Sequence, residues 1–184
     1  MSKIPAHATC VFKGEIFDVY QWPQQLYDGR TVTFECLKRP NTVVVVPTQG
    51  DVVFYAEQQQ PNKDPYLSLF GGRVEEGEDT LEAAKRELLE ESGLASDDWE
   101  LFATNPFRGK IEWTVYYYIA RNCQKVAEPN LDGGEIITVK TTDADTFLNQ
   151  IVADPRFYEP ELKDAVYSAF NPQAAHQFKS KLIS

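Results

Sequence analysis

Cysteine is scarce in this chain: Cys10, Cys36 and Cys123 are the only three among 184 residues. An odd count, widely spaced and without a C-x-x-C pair, argues against a disulfide framework and against a zinc site; it leaves buried or incidental thiols. Long apolar runs are also missing. No stretch approaches the ~20 residues that span a bilayer, and the N-terminus carries no signal-peptide h-region, so the expected location is cytoplasmic, with no membrane partner. Basic residues are outnumbered, 18 Lys and Arg against 28 Asp and Glu, for a net charge of −10. That argues against a nucleic-acid partner, which needs a basic surface to displace counterions. It does not exclude a small anionic substrate, because bound divalent metals reverse the local field. His7 and His176 are the only histidines, and no Ser-His-Asp arrangement is visible.

What is present is enough for a core: 42% of residues are hydrophobic and 12% aromatic. No repeat, low-complexity tract or linker divides the chain, so it reads as one domain. The first part reads as strands. Glu15–Trp22 is β-rich, Asp28-Gly29 is a turn, and Thr31–Arg39 alternates, so a hairpin is expected. Thr42–Pro47 is a continuous apolar run, as in a strand covered on both faces. Val52–Gln58 returns as another strand. Gln59–Pro65 is a loop set by two prolines and an asparagine, and Tyr66–Phe70 is a short strand ending at Gly71-Gly72.

Two strands follow a helix, at Trp99–Thr104 and Glu112–Arg121, joined by a loop at Asn105–Lys110. The tyrosines of Val115–Ala120 read as a strand with two aromatic faces. Glu128–Glu135 is a Gly-rich loop before the strand Ile136–Thr141. Asp143 caps a short amphipathic helix, Pro160 opens another over Pro160–Phe170, and residues 171–184 read as a polar tail. The class is α+β. Arg39-Pro40-Asn41 punctuates the chain, so residues 1–38 are expected to form a separate strand extension on a core of 39–170.

Gly71–Leu94, "GGRVEEGEDTLEAAKRELLEESGL", crowds eight acidic residues against Arg73, Lys85 and Arg86. A helix is expected from an Asp79 N-cap, with Glu82 in a capping-box position, to Gly93 as C′ residue. Leu81, Ala84 and Leu88 share its core-facing stripe. Glu87, Glu90 and Glu91 stand at i, i+3 and i+4, cost the helix a few tenths of a kcal/mol per pair, and lie near the end where the dipole disfavours negative charge. Charge runs of this kind are most often solvated faces. A hard divalent cation with oxygen ligands would remove the conflict. Backbone carbonyls at Gly71 and Gly72 could add a ligand, and Arg86 could pair with Glu78.

At this point the residues resemble a known family. Gly72, Glu78, Arg86-Glu87-Leu88, Glu90-Glu91 and Gly93-Leu94 match the Nudix box, G-x5-E-x7-R-E-U-x-E-E-x-G-U with U aliphatic, at all nine defined positions in 23. The resemblance implies a Nudix fold: a mixed β-sheet core sandwiched between helices, here a single domain over 1–184 with an N-terminal antiparallel strand extension. It implies hydrolysis of a nucleoside diphosphate linked to a group X, with Mg²⁺ or Mn²⁺. Carried over by position, Glu87, Glu90 and Glu91 would be metal ligands and the Gly71 carbonyl would complete one site. Arg86 would form a structural pair with Glu78 and joins the catalytic set beside Glu87.

The resemblance runs from about Gly14 to Val152 and is closest to the ADP-ribose/ADP-sugar pyrophosphatase branch. Members of that branch are commonly homodimers whose N-terminal strands help form the partner's substrate site. Two departures fall where X and its base would be selected. Gln60 stands where the branch usually has an arginine, and Ser68-Leu69-Phe70-Gly71-Gly72 replaces E-L-P-A-G.

Catalysis by this route needs a base. Glu135, on the Gly-flanked loop and at the branch's acidic position, is the first choice, with Asp132 and Glu112 in reserve and Glu87 as the box alternative. Trp22 and Phe34 are candidates to stack on a base or sugar, and equally fit core or dimer-interface positions. Arg39 and Arg108 are candidate phosphate contacts, with Glu112 a further substrate contact; as isolated arginines they also fit plain surface roles. Three functions remain open: a hydrolase of ADP-ribose or another nucleotide sugar, a non-cleaving sensor of such a ligand, and a hydrolase of nucleoside triphosphates or capped nucleotides.

Overall fold

The computed structural model describes residues 2–131, 133–166 and 173–183. Its first three strands are β1 (Thr9–Lys13), β2 (Asp18–Gln25) and β3 (Thr31–Lys38). They pair antiparallel in sequence order. The expected turn closes the β2–β3 hairpin, with Gly29 at φ +85° and Asp28 accepting from the Arg30 N–H at 3.1 Å. The strand read at Glu15–Trp22 in fact runs Asp18–Gln25. β1 was not expected: all five of its residues are exposed, so no burial pattern marks it.

The core strands are β4 (Thr42–Gln49), β5 (Val52–Gln59), β6 (Tyr66–Ser68), β7 (Leu94–Ala95), β8 (Asp98–Pro106), β9 (Ile111–Glu112), β10 (Thr114–Arg121), β11 (Gln124–Lys125) and β12 (Ile136–Asp143). The main sheet runs β12-β5-β4-β10-β8. It is mixed: β4 and β10 are parallel, while β8 and β12 pair antiparallel with their neighbours. β9 instead joins β3 in parallel, Leu37 opposite Ile111, so the N-terminal sheet is not purely antiparallel and is knitted to the core. The loop expected at Asn105–Lys110 is shorter at its start, because Asn105 and Pro106 complete β8.

β4 and β5 pair only beside their turn, at Thr48–Val53 and Gln49–Val52. Beyond it they splay, and residues 66–73 enter the gap. β6 pairs with β5, while the Val45 and Val43 N–H groups donate to Phe70 O (2.8 Å) and Gly72 O (2.9 Å). This wedge carries Gly71 and Gly72 to the centre of the sheet. A Cβ at Gly71 would collide with Val43 O, so only glycine allows that approach.

The helices cover both faces. α1 (Thr80–Ser92) lays Ala83, Ala84 and Leu88 onto Val43, Val45, Phe70, Tyr118 and Ala120. On the other face, α2 (Ala144–Thr146) continues as a π-helical turn over Phe147–Ile151, and α3 (Pro160–Val166) follows. Asp143 caps this segment, accepting from the Thr146 N–H at 2.9 Å. Residues 167–170 of the expected second helix lie outside the described residues. Val46, Val53, Ile119, Phe147 and Leu162 form the core here. The strand of tyrosines does serve two faces, with Tyr117 in this core and Tyr118 under α1.

The polar tail is corrected. Residues 174–182 form α4 (Ala174–Leu182), and Ala174, Phe178 and Leu182 are buried. Their spacing of four makes one helical stripe that overall polarity conceals. The sheet satisfies the carbonyls at the end of α4: Thr48 Oγ1 donates to Leu182 O at 3.0 Å, and Arg121 Nε donates to Lys181 O at 2.6 Å. Cys10 is exposed and Cys36 and Cys123 are buried, all as free thiols. Among the described residues no helix is long and apolar enough to cross a membrane.

Candidate active site

α1 starts and stops where its sequence dictates. Asp79 Oδ1 accepts from the Leu81 N–H at 2.8 Å, and Gly93, at φ +70°, ends the helix with its N–H on Leu89 O. The capping box does not close as expected, because Glu82 pairs with Lys85 at 2.8 Å instead. Arg86 ties the preceding loop to the helix. Its Nε and Nη2 donate to the two oxygens of Glu78, each at 3.0 Å, and Nη2 also reaches Arg73 O at 3.0 Å. Hydrogen bonding from Arg86 holds the Glu78 carboxyl below the usual range.

Arg86 also turns toward the acids, with Nη1 at 2.8 Å from Glu87 and 3.2 Å from Glu90. Burial nevertheless raises the Glu87 pKa, with the Arg86 hydrogen bond opposing it. Gly72 is the cradle for that carboxylate: a Cβ there would overlap Glu87. Glu91 is 9% exposed and accepts the Gly71 N–H at 2.8 Å. Burial pushes its pKa up to about 8, against the Gly71 hydrogen bond and with help from the negative charges of Glu87 and Glu135. The three box glutamates, Asn130, Leu131 and Glu135 line a cavity of about 110 Å³.

Glu135 therefore reaches the box from a distant part of the chain. Its loop is fastened to the end of α1 by the Val126 N–H on Gly93 O (2.9 Å) and the Asn130 N–H on Glu90 O (2.8 Å). Glu135 also lines a larger cavity, about 610 Å³, between residues 59–64 and Gly133–Ile136. Gln60 Nε2 donates to Glu135 Oε1 at 2.7 Å where the two cavities meet. The reserve base Asp132 lies outside the described residues.

The donor set suits a hard divalent ion. It offers the buried or half-buried carboxylates of Glu87 and Glu91, whose desolvation a cation would relieve, beside the more exposed Glu90. In this arrangement the carboxylates do not converge on one point. Arg86 draws Glu87 aside and the Gly71 N–H holds Glu91, and among the described residues no trio of acidic, His or Cys side chains is preassembled for a metal. Gly71 stands against Glu91 through its N–H, so a ligand role for its carbonyl rests on the resemblance.

The remaining candidates sit elsewhere. Trp22 and Phe34 are cross-strand partners on β2 and β3, with ring centroids 6.0 Å apart. Lys110 Nζ lies 5.2 Å from the Phe34 ring, and neither aromatic lines the acidic cavity. Arg39 stacks over Trp113 at 4.2 Å, with its Nε buried and without a hydrogen-bond partner. Burial first, and then Arg73, lowers its pKa. Trp113 is itself stacked on Phe107, at 3.9 Å and 15°. Arg108 is exposed on its loop.

Glu112 is taken up with the N-terminus. It accepts from Ser2 Oγ (2.5 Å) and the Lys3 N–H (2.8 Å), and lies 3.8 Å from Lys38. It does not line the acidic cavity, and its hydrogen bonds tie residues 2–3 to β9. Sequence reasoning missed the contacts of Gln60 and the Trp113 stack. Gln60 did stand out, as the residue in place of an arginine.

The NUDIX domain family model matches residues 38–160. The chain is 26% identical over 162 residues to a methanol dehydrogenase activator of Bacillus methanolicus, covering 85% of this chain and 86% of that protein. It is 27% identical over 135 residues to an ADP-ribose pyrophosphatase of Bacillus subtilis (strain 168), covering 70% and 72%. Among solved structures, an ADP compounds hydrolase matches with a TM-score of 0.74 over 100% of both chains, at 16% identity, which is a likeness of fold.

Proposed function

The chain belongs to the Nudix family of pyrophosphohydrolases, and on that premise we propose that it hydrolyses a nucleoside diphosphate linked to a sugar, ADP-ribose first, to a nucleoside monophosphate and a sugar phosphate. One observation carries the reading. Three box glutamates and Glu135, from separate parts of the chain, line the same cavity. The similarity to an ADP-ribose pyrophosphatase supports the choice of substrate.

Glu87, Glu90 and Glu91 would hold Mg²⁺ or Mn²⁺. When bound, the ion supplies charge neutralisation on the diphosphate and a lowered pKa for water. Glu135 accepts the proton of the attacking water as its oxygen bonds to phosphorus. The anhydride P–O bond breaks, and its electron pair leaves with the other phosphate. Arg86 steers Glu87 and, through Glu78, keeps the loop on the helix. Arg39 is the candidate contact for the substrate's phosphates. A homodimer through the N-terminal strands, with Trp22 and Phe34 offered to the partner's site, completes the reading.

The test is a panel of ADP-ribose, ADP-glucose, UDP-glucose, GDP-mannose, NADH, diadenosine polyphosphates and dNTPs, each with Mg²⁺ or Mn²⁺. ADP-ribose is expected to give AMP and ribose 5-phosphate fastest. Cleavage of none would favour a regulatory domain, a reading that the similarity to a methanol dehydrogenase activator supports.

A further inference from the structure

Among the described residues, few contacts hold the loop that ends in Glu135. A Cβ built at Gly133 or Gly134 would meet nothing within 4 Å. The loop is fixed at its root by Asn130 on Glu90, and after its end by Ile136, which pairs with Gln59 across β12 and β5. Between those anchors, the one hydrogen bond to the Glu135 carboxylate among the described residues comes from Gln60, at 2.7 Å.

Gln60 is not free to turn. Its Oε1 accepts from Lys63 Nζ at 2.8 Å, which commits the amide oxygen to lysine and the NH₂ to Glu135. Lys63 is steadied in turn, 5.5 Å from the Tyr66 ring and 5.8 Å from the Tyr158 ring. The Lys63 N–H also closes a turn on Gln60 O at 3.2 Å. The relay therefore runs from the β5–β6 loop to the β11–β12 loop. A carboxamide in this place directs the carboxylate without neutralising it, which an arginine or lysine would do.

We infer that Gln60, held by Lys63, is the positioning residue for Glu135, keeping its carboxylate at the junction of the two cavities so that it faces Glu87, Glu90 and Glu91. The inference rests on the role given to Glu135 above. Displacing a reacting group by about 1 Å costs on the order of 100-fold in rate.

The experiment compares wild type, Gln60→Leu, Glu135→Gln and the double variant on ADP-ribose with Mg²⁺. Hydrogen exchange of residues 133–136 is followed in parallel. Gln60→Leu is expected to lower kcat about 10- to 100-fold with KM and the Mg²⁺ requirement near wild type. In the Glu135→Gln background it should cost nothing further, since a residue acting only through Glu135 has nothing left to orient. Exchange at residues 133–136 should quicken. Wild-type kcat in Gln60→Leu, a full repeat of the loss in the double variant, or unchanged exchange would each overturn the inference. A wild-type rate in Glu135→Gln, or no hydrolysis by wild type, would overturn the role of Glu135 or the functional reading. The exchange result then decides the positioning claim alone: unchanged protection sinks it.

Discussion

Glu91 is a buried carboxyl whose ionisation opposes folding, and replacing it should make the protein more stable in EDTA at high pH. Burial lifts its pKa from 4.5 to about 8, so the folded state binds its proton more tightly than the unfolded chain does. Stability contributed by this group is therefore present at low pH and lost as pH rises from about 4.5 to 8. At 1.36 kcal/mol per unit, the full penalty above pH 8 has a ceiling of about 5 kcal/mol, falling to about 3 at pH 7 and below about 1 at pH 5. Water penetration and relaxation discount the ceiling, so about 2–4 kcal/mol is expected at pH 9.

Glu91→Gln keeps the shape and can still accept the Gly71 N–H, but carries no charge. Urea unfolding in EDTA should therefore find the variant more stable than wild type by that amount at pH 9, and nearly equal at pH 5. Mg²⁺ at about a thousand times Kd should cancel or reverse the difference, because only wild type gains binding free energy, about 4.1 kcal/mol. A variant equal to or weaker than wild type at pH 9 in EDTA would refute the reasoning.

Two other perturbations test the packing around the site. Gly72→Ala should displace the Glu87 carboxylate; a more than tenfold loss of Mg²⁺-dependent kcat with wild-type far-UV circular dichroism is expected, and an active variant would count against the cradle. Phe178→Ala should cost about 3–5 kcal/mol in a denaturant melt, as for a buried aromatic, whereas a loss under ~0.5 kcal/mol, typical of a surface change, would return α4 to the status of a tail.

The box was legible because its meaning is local. Within 23 residues the box positions mark the Glu78–Arg86 pair and the helix end at Gly93, and the Asp79 cap beside them marks its start. β4 was legible because a strand buried on both faces has no choice but to be apolar. β1 and β9 were not: one is exposed throughout and the other is two residues long, so neither writes a pattern. α4 was hidden because three buried residues are diluted among two lysines, a serine, a histidine and a glutamine. The Gln60–Glu135 contact joins residues 75 apart in sequence, and only the β5–β12 pairing brings them together. The contacts of Glu112 were hidden for the same reason, its partners being at the far N-terminus.

The most direct test of the catalytic site is the initial rate of Mg²⁺-dependent ADP-ribose cleavage by wild type and by Glu135→Gln, both shown folded. Loss of a general base should slow the variant by about 10²- to 10⁴-fold while substrate binding, measured by calorimetry, stays within a few-fold. Equal rates in the two proteins would contradict the account.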